Sequence, residues 1–308
     1  MSNTIGKHIA LTLFGESHGE CIGAVLDGMP CGIAVDTEYI AGRLARRRPC
    51  GSGETARRES DNFKIVSGVF NGFTTGEPLC ILIENSDTRS ADYDATHLLA
   101  RPSHADYVAH TVHKGYEDWR GGGHFSGRLT APIVAAGAIC TKALEAAGIK
   151  IATHILSCGA ATDSPFDAVN ADTLDSQIDL VAQKHFPVID DIEAEISQAA
   201  EAARLAGDSI GGVIQTAVSH LPVGLGEPWF SSLDGALANA MLSIGAVKGI
   251  EFGLGFAFGS SRASECNDEF YSDGGTVKTY TNFSGGIQGG YSNGMPVVFN
   301  CVVKPTPS

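Results

Sequence analysis

Apolar runs of five or six residues, broken by glycine-rich turns, set the rhythm of this chain. Ile9 to Phe14 and Ile22 to Leu26 read as strands, and Ile65 to Val69 with Leu79 to Ile83 as a hairpin pair. Thr37 to Arg48 reads as a helix capped by Asp36 and stopped by Pro49. Leu129 to Ala147 is the strongest helical segment, with Pro132 in its first turn and Gly148 just past its end. It is apolar nearly all round, which predicts burial in the core. Asp190 to Ala206 is amphipathic and acidic, a surface helix ending at Gly207. Between these elements Asn85 to Arg128 is long, polar and without sustained period, yet Tyr93, Tyr107, Tyr116, Trp119 and Phe125 argue for an ordered, functional loop.

One stretch repeats. Ser67-Gly68-Val69-Phe70-Asn71-Gly72-Phe73-Thr74-Thr75-Gly76-Glu77-Pro78 lies without gaps on Gly285-Gly286-Ile287-Gln288-Gly289-Gly290-Tyr291-Ser292-Asn293-Gly294-Met295-Pro296. Each copy follows a glycine-rich strand (Ile22 to Leu26; Gly211 to Thr216) and a helix (Thr37 to Arg48; Asp234 to Ile244), and precedes an apolar strand. Chance likeness of two glycine-rich turns is the alternative. A true repeat predicts two pseudo-equivalent halves, each of antiparallel strands packed on helices. The first half runs on through a loop into a core helix, whereas the second stops at Ser308, so the pattern leads one to expect a missing C-terminal loop and helix.

Composition changes the picture at two points. The 43% hydrophobic content supports a substantial core, and 38 glycines imply many tight turns and close backbone approaches. The eight cysteines have no Cys-x-x-Cys or zinc spacing, so no metal site is expected, and they read as small buried hydrophobes. With no basic-then-apolar N-terminal pattern and no run approaching membrane-spanning length, the expectation is a cytoplasmic protein without a membrane partner.

Charge is more telling. The formal net charge is −14, which argues against a nucleic-acid partner, yet ten of the twelve arginines fall between Arg43 and Arg128. Guanidinium groups keep their charge when partly buried and grip phosphate and carboxylate bidentately, so the cluster suits a compact polyanion. On the first helix Arg43 and Arg47 share a face, and such like charges repel unless an anion sits between them. The competing explanation is salt bridging to Glu54, Glu59, Asp61, Asp87, Asp92 and Asp106 in the same stretch.

Three histidine-bearing segments accompany the arginines. Gly15-Glu16-Ser17-His18-Gly19 follows the first strand, where an imidazole suits proton transfer or plays a structural part. Arg101-Pro102-Ser103-His104-Ala105-Asp106-Tyr107 holds a second, which could instead stabilise its loop. Arg120-Gly121-Gly122-Gly123-His124-Phe125-Ser126-Gly127-Arg128 opens the core helix, a site for anions, but it lacks the signatures of a P-loop or a dinucleotide fold. Lys304-Pro305-Thr306-Pro307-Ser308 adds a cation and hydroxyls, as a phosphate grip or simply a polar tail.

Taken with Arg46-Arg47-Arg48-Pro49, Ala246-Val247-Lys248-Gly249 and Gly285 to Gly294, these segments resemble the chorismate synthase family along almost the whole chain and in the family's order. The resemblance implies an α+β fold, a β-α-β sandwich with a helical core between antiparallel sheets and an internal pseudo-two-fold repeat, in one domain spanning 1–308. It implies a carbon–oxygen lyase of the shikimate pathway. The reaction is anti-1,4-elimination of phosphate from 5-enolpyruvylshikimate 3-phosphate, giving chorismate for aromatic amino-acid biosynthesis. Reduced FMN is the implied cofactor, with NADP as the associated nucleotide and a homotetramer as the working form. By similarity His18 protonates the departing phosphate and His104 serves as proton partner of the reduced flavin. Ser17, Arg47, Arg101 and Arg128 grip the substrate. His124, Phe125, Ser126, Gly245, Ala246, Gly289, Lys304, Pro305, Thr306, Pro307 and Ser308 line the FMN site. The sequence departs from the family at Cys50, usually glycine, in a shorter following loop without its central arginine, and at Gly245, where Asn or Pro is common. The family also continues past Lys-Pro-Thr-Pro-Ser into an Arg-His-Asp-Pro-Cys motif and a final helix, so a truncated, impaired form is expected. The alternative function is a non-catalytic flavin- or anion-binding relative.

Overall fold

Alternation of apolar and polar positions builds the first sheet of this computed structural model, which describes residues 3–49, 59–86 and 99–306. The chain divides into one unit running up to Ala143 and a second spanning Leu144–Thr306. In the first unit, β1 (Thr4–Ile5), β2 (Ala10–Gly15), β3 (Cys21–Asp27), β4 (Phe63–Ser67) and β7 (Leu79–Glu84) form an antiparallel sheet in the order β1-β2-β3-β7-β4. Ile22, Ala24 and Leu26 lie directly opposite Ile83, Ile81 and Leu79, and all six are buried on one face. Onto that face pack Ile40 and Leu44 of α1 (Thr37–Arg46), one turn apart, and Ala131, Ala135, Ala136, Ala138 and Ile139 of α3 (Thr130–Ala146). Alanine dominates this stripe of α3, which lets the helix come close to the sheet. Burying each large aliphatic side chain is worth about 1.5–3 kcal/mol. Asp36 caps α1, its Oδ1 accepting from Tyr39 N at 2.8 Å. The helix ends two residues before the expected Arg48, because the residue preceding Pro49 is driven out of the helical region.

The second unit carries β8 (Lys150–Cys158), β9 (Ala161–Thr162), α4 (Ala171–Gln183), α5 (Glu193–Leu205), β10 (Gly212–Ser219), α6 (Leu233–Leu242) and β11 (Val247–Phe252). After these come α7 (Ala263–Cys266), the β12 (Phe270–Asp273)–β13 (Thr276–Thr279) hairpin and β16 (Val297–Val303). Its antiparallel sheet runs β11-β16-β10-β8-β9. Leu233, Leu237 and Met241 of α6 pack with Ile214, Val218, Val297 and Phe299. Residues of opposite parity, Ala217 and Val298, face Leu174, Ile178 and Val181 of α4 instead.

The repeat is present in the backbone. Strands β2-β3-β7-β4 of the first unit and β8-β10-β16-β11 of the second have the same order, and the β4–β7 and β11–β16 pairings are both bulged. The matched segments fold into small hairpins, β5 (Val69–Phe70)–β6 (Phe73–Thr74) and β14 (Ile287–Gln288)–β15 (Tyr291–Ser292). Thr74 Oγ1 donates to Pro30 O at 2.6 Å and accepts from Ile33 N at 2.9 Å; its counterpart Ser292 donates to Pro222 O at 2.6 Å and accepts from Leu225 N at 2.9 Å. Gly68 and Gly286 both sit at φ 80°, each backed by main chain that leaves no space for a Cβ.

Within the expected irregular stretch Asp106–His113 forms a helix, α2, and a kinked turn over Arg120–Phe125, non-helical at its three glycines, leads through a single 3-10 turn at Gly127–Leu129 into α3. Tyr93 and Cys50 lie outside the described residues.

Candidate active site

Everything in the first unit's site turns on the glycine run before α3. Gly121, Gly122 and Gly123 all have positive φ, at 58°, 83° and 54°. A Cβ on Gly121 would lie 2.1 Å from His18 Cε1, 2.2 Å from His18 Nδ1 and 3.1 Å from Ser17 Oγ. One on Gly122 would lie 3.2 Å from His104 Cε1. Bare backbone thus separates the two imidazoles, with His18 against one glycine and His104 against the next.

The run is tied to the β2–β3 turn. Ser17 N donates to Gly123 O at 3.1 Å, and His124 Nδ1 donates to Gly15 O at 2.8 Å, which a carbonyl can only accept. Ser17 is fully buried and His18 is 8% exposed.

His104 is held by a carboxylate. Its Nδ1 lies 2.5 Å from Asp106 Oδ1, so Nδ1 carries a proton toward Asp106, while Nε2 lies 3.4 Å from Arg101 Nη2. Arg101 grips the same carboxylate from Nε and Nη2, both at 2.8 Å. This Arg101 contact, reinforced by its backbone N–H and by His104, holds the Asp106 carboxyl well below the usual carboxylate range. A carboxyl depressed in the folded state stabilises it above the unfolded pKa of about 3.9, and that contribution is lost as pH falls. Asp106→Asn is therefore expected to melt below the wild type at pH 7, with a gap that narrows steadily below about pH 4; a pH-independent gap in thermal melts would contradict the assignment.

Two other predicted substrate arginines meet around an internal anion. Arg47 Nη1 donates to Asp61 Oδ2 at 2.6 Å, and Arg128 Nη1 donates to Asp61 Oδ1. Arg128 also donates from Nε to Asn85 Oδ1 at 3.1 Å and from Nη2 to Glu84 O at 3.2 Å, with Glu59 at 3.7 Å. Arg120 forms a two-point pair with Asp118, both contacts at 2.8 Å, and this bond lowers the Asp118 carboxyl. For these arginines the salt-bridge explanation therefore holds, with Asp61 lying between Arg47 and Arg128.

Beside His104 opens a cavity of about 560 Å³, lined by Arg101, Gly122, His124, Phe125, Trp119 and Tyr116 among others. Of the residues expected around FMN it brings together His124 and Phe125; Ser126 caps the next turn, its Oγ accepting from Arg128 N at 3.3 Å.

The other expected FMN residues that are described lie in the second unit. Lys304 N donates to Ala246 O at 3.0 Å where β16 meets the start of β11, Thr306 O accepts from Ser209 Oγ at 2.7 Å, and Pro305 packs at Gly211. Ala246 is held at φ 71°, an unfavourable conformation for alanine. A Cβ at Gly245, or at Gly289 in the β14–β15 turn, would meet nothing within 4 Å, leaving backbone open to a ligand. Pro307 and Ser308 lie outside the described residues.

Sequence reasoning passed over Asp61, Asn85 and Asp118 as parts of the site. Asp61 carried a signal, since it is among the possible arginine partners, but nothing local distinguished a buried carboxylate from a surface one, and Asp118 was not among those candidates.

Comparison with known proteins matches the chorismate synthase family model over residues 9–308. Chorismate synthase from Thermococcus gammatolerans is 44% identical over 98% of this chain and 83% of its own length. That from Dehalococcoides mccartyi is 42% identical over 100% of this chain and 84% of its own. A crystal structure of chorismate synthase superposes with a TM-score of 0.83 at 30% identity, covering 98% of this chain and 85% of that one.

Proposed function

The chain belongs to the chorismate synthase family, and from that premise we propose that the two imidazoles flanking Gly121 and Gly122 are the proton-handling groups of its lyase reaction. The reaction is the 1,4-elimination of phosphate from 5-enolpyruvylshikimate 3-phosphate to chorismate. An anti elimination removes a proton and a leaving group from opposite faces, so it needs separate proton carriers. The adjacent placement of His18 and His104 along one strip of bare backbone is the observation that carries this reading.

His18, anchored on the buried β2–β3 turn, protonates the departing phosphate. His104 keeps its Nδ1 proton on Asp106, its ring fixed by the carboxylate, and would serve as proton partner of a bound reduced flavin. Ser17 lies against the same glycine as His18 and orients the phosphate, while Arg47 and Arg101 offer cationic edges to the substrate carboxylates.

The residues present suit reduced FMN. A cavity of this size walled by Trp119, Phe125 and His124 fits a planar aromatic ring such as that of a flavin. When bound, reduced flavin supplies transient electron donation into the allylic system, which weakens the C–O bond. NADP-linked supply of reduced flavin, a homotetrameric form and a cytoplasmic setting belong to the same reading; the exposed Trp229, Phe230 and Phe256 side chains support further burial between copies.

Anaerobic incubation of the intact gene product with reduced FMN and 5-enolpyruvylshikimate 3-phosphate is expected to release phosphate and chorismate in equal amounts, and neither without FMN, with turnover by the 308-residue form severely reduced. A protein that takes up FMN but releases neither product would be the binding-only relative instead.

A further inference from the structure

We propose that Asp61 is a positioning residue, whose buried carboxylate fixes the Arg47 guanidinium so that its remaining N–H edge meets an anionic group of the substrate. The inference rests on the reading given under Proposed function, and it separates the roles of two arginines that the family resemblance treats alike.

The Asp61 side chain is 0% exposed, and the residue is held at φ 52°, a left-handed conformation uncommon outside glycine. One oxygen accepts from Arg47 and the other from Arg128. The arginines differ in what they have left. Arg128 is 3% exposed on its side chain and donates from Nε, Nη1 and Nη2 to three separate protein acceptors. Its nearly buried side chain is held in the frame by these three contacts. Arg47 is 22% exposed and gives Nη1 to Asp61, which leaves part of a five-donor fork accessible.

The frame also reaches the catalytic turn. Asn85, which accepts from Arg128, donates through Nδ2 to Glu16 O at 3.0 Å and Gly19 O at 2.9 Å, the two carbonyls bracketing Ser17 and His18. Asp61, Arg128 and Asn85 therefore link the end of α1 with the turn that carries His18. An isolated arginine at a helix end samples many rotamers, and holding it in one lowers the entropy lost when an anion binds. A buried carboxylate at 2.6 Å does this without occupying the outer edge of the guanidinium.

The test uses the full chain. Titration calorimetry of 5-enolpyruvylshikimate 3-phosphate in the presence of oxidised FMN is run on wild type, Asp61→Asn, Asp61→Glu, Arg47→Met and Arg47→Met/Asp61→Asn, with flavin affinity measured separately by fluorescence. Asp61→Asn is expected to weaken substrate binding by about tenfold or more while flavin affinity stays within about twofold. On the Arg47→Met background the same change should add less than about twofold, because Asp61 acts through Arg47. Asp61→Glu keeps the buried charge but moves it by one methylene, so it should stay folded and still lose about fivefold in substrate affinity; it carries the test if the Asn variant fails to fold. Unchanged substrate affinity in Asp61→Glu or Asp61→Asn, or losses that multiply in the double variant, would overturn the role of Asp61. Wild type that binds no substrate would overturn the underlying functional reading as well.

Discussion

Gly121→Ala is expected to slow phosphate elimination by about 10²–10⁴-fold while both sheets remain folded, because the new methyl group and the His18 ring cannot occupy the same space. The added Cβ would fall 2.1 Å from Cε1 and 2.2 Å from Nδ1, inside any tolerable contact, and φ 58° disfavours alanine in any case. His18 cannot simply rotate away, since it sits on a turn fixed by Ser17 N to Gly123 O and by His124 to Gly15 O. Either the ring or the glycine run must shift by more than an ångström, and displacement of that size is enough to lose about two orders of magnitude in rate. Gly122→Ala meets His104 only at 3.2 Å and should be milder. Gly127 offers the control: it lies in the same segment, has no positive φ, and a Cβ there meets nothing within 4 Å, so Gly127→Ala should turn over normally. Anaerobic turnover compared with far-ultraviolet circular dichroism checks all three. A Gly121→Ala enzyme within about tenfold of wild type would mean that His18 is not the proton carrier.

The same glycine run shows what a sequence can and cannot disclose. Strands β2, β3 and β7 and helix α3 were legible because their burial follows the period of the element, with Ile22, Ala24 and Leu26 alternating inward and α3 apolar throughout. The repeat was legible because its glycines answer to backbone geometry, which both copies share down to the Thr74 and Ser292 hydroxyl contacts. Helix α2 was hidden for the opposite reason: Tyr107, Val108 and Val112 are exposed and only Ala109 is buried, so its apolar positions do not mark a core-facing side. At the site, motif-bearing residues could be named one by one, but their pairings are long-range. Asp61 meets Arg128 across 67 positions and Asn85 meets Glu16 across 69, and no local spacing encodes either. The arginine cluster suggested a polyanion; the fold shows that its members first bind the chain's own carboxylates.

That internal pairing sets the second large effect. Arg128→Met should lower stability by about 3–5 kcal/mol, since it removes a cation from a carboxylate that has no access to water. Asp61 would keep Arg47 alone, while Asn85 Oδ1 and Glu84 O would each lose a donor in a largely buried setting. For a chain of this size the loss corresponds to a thermal midpoint lower by about 5–8 °C. Replacing both members, as Arg128→Met with Asp61→Leu, should recover much of the midpoint, because an apolar pair of similar volume needs no counter-charge and leaves only the smaller hydrogen-bond losses. Substrate binding should not recover with it, since the double variant no longer fixes Arg47. Calorimetric melts of the three proteins, with substrate affinity measured on each, separate the two consequences. If Arg128→Met melted with the wild type, the guanidinium would be dispensable to the fold, and Arg128 would have to be read as a ligand-binding residue rather than a member of the frame.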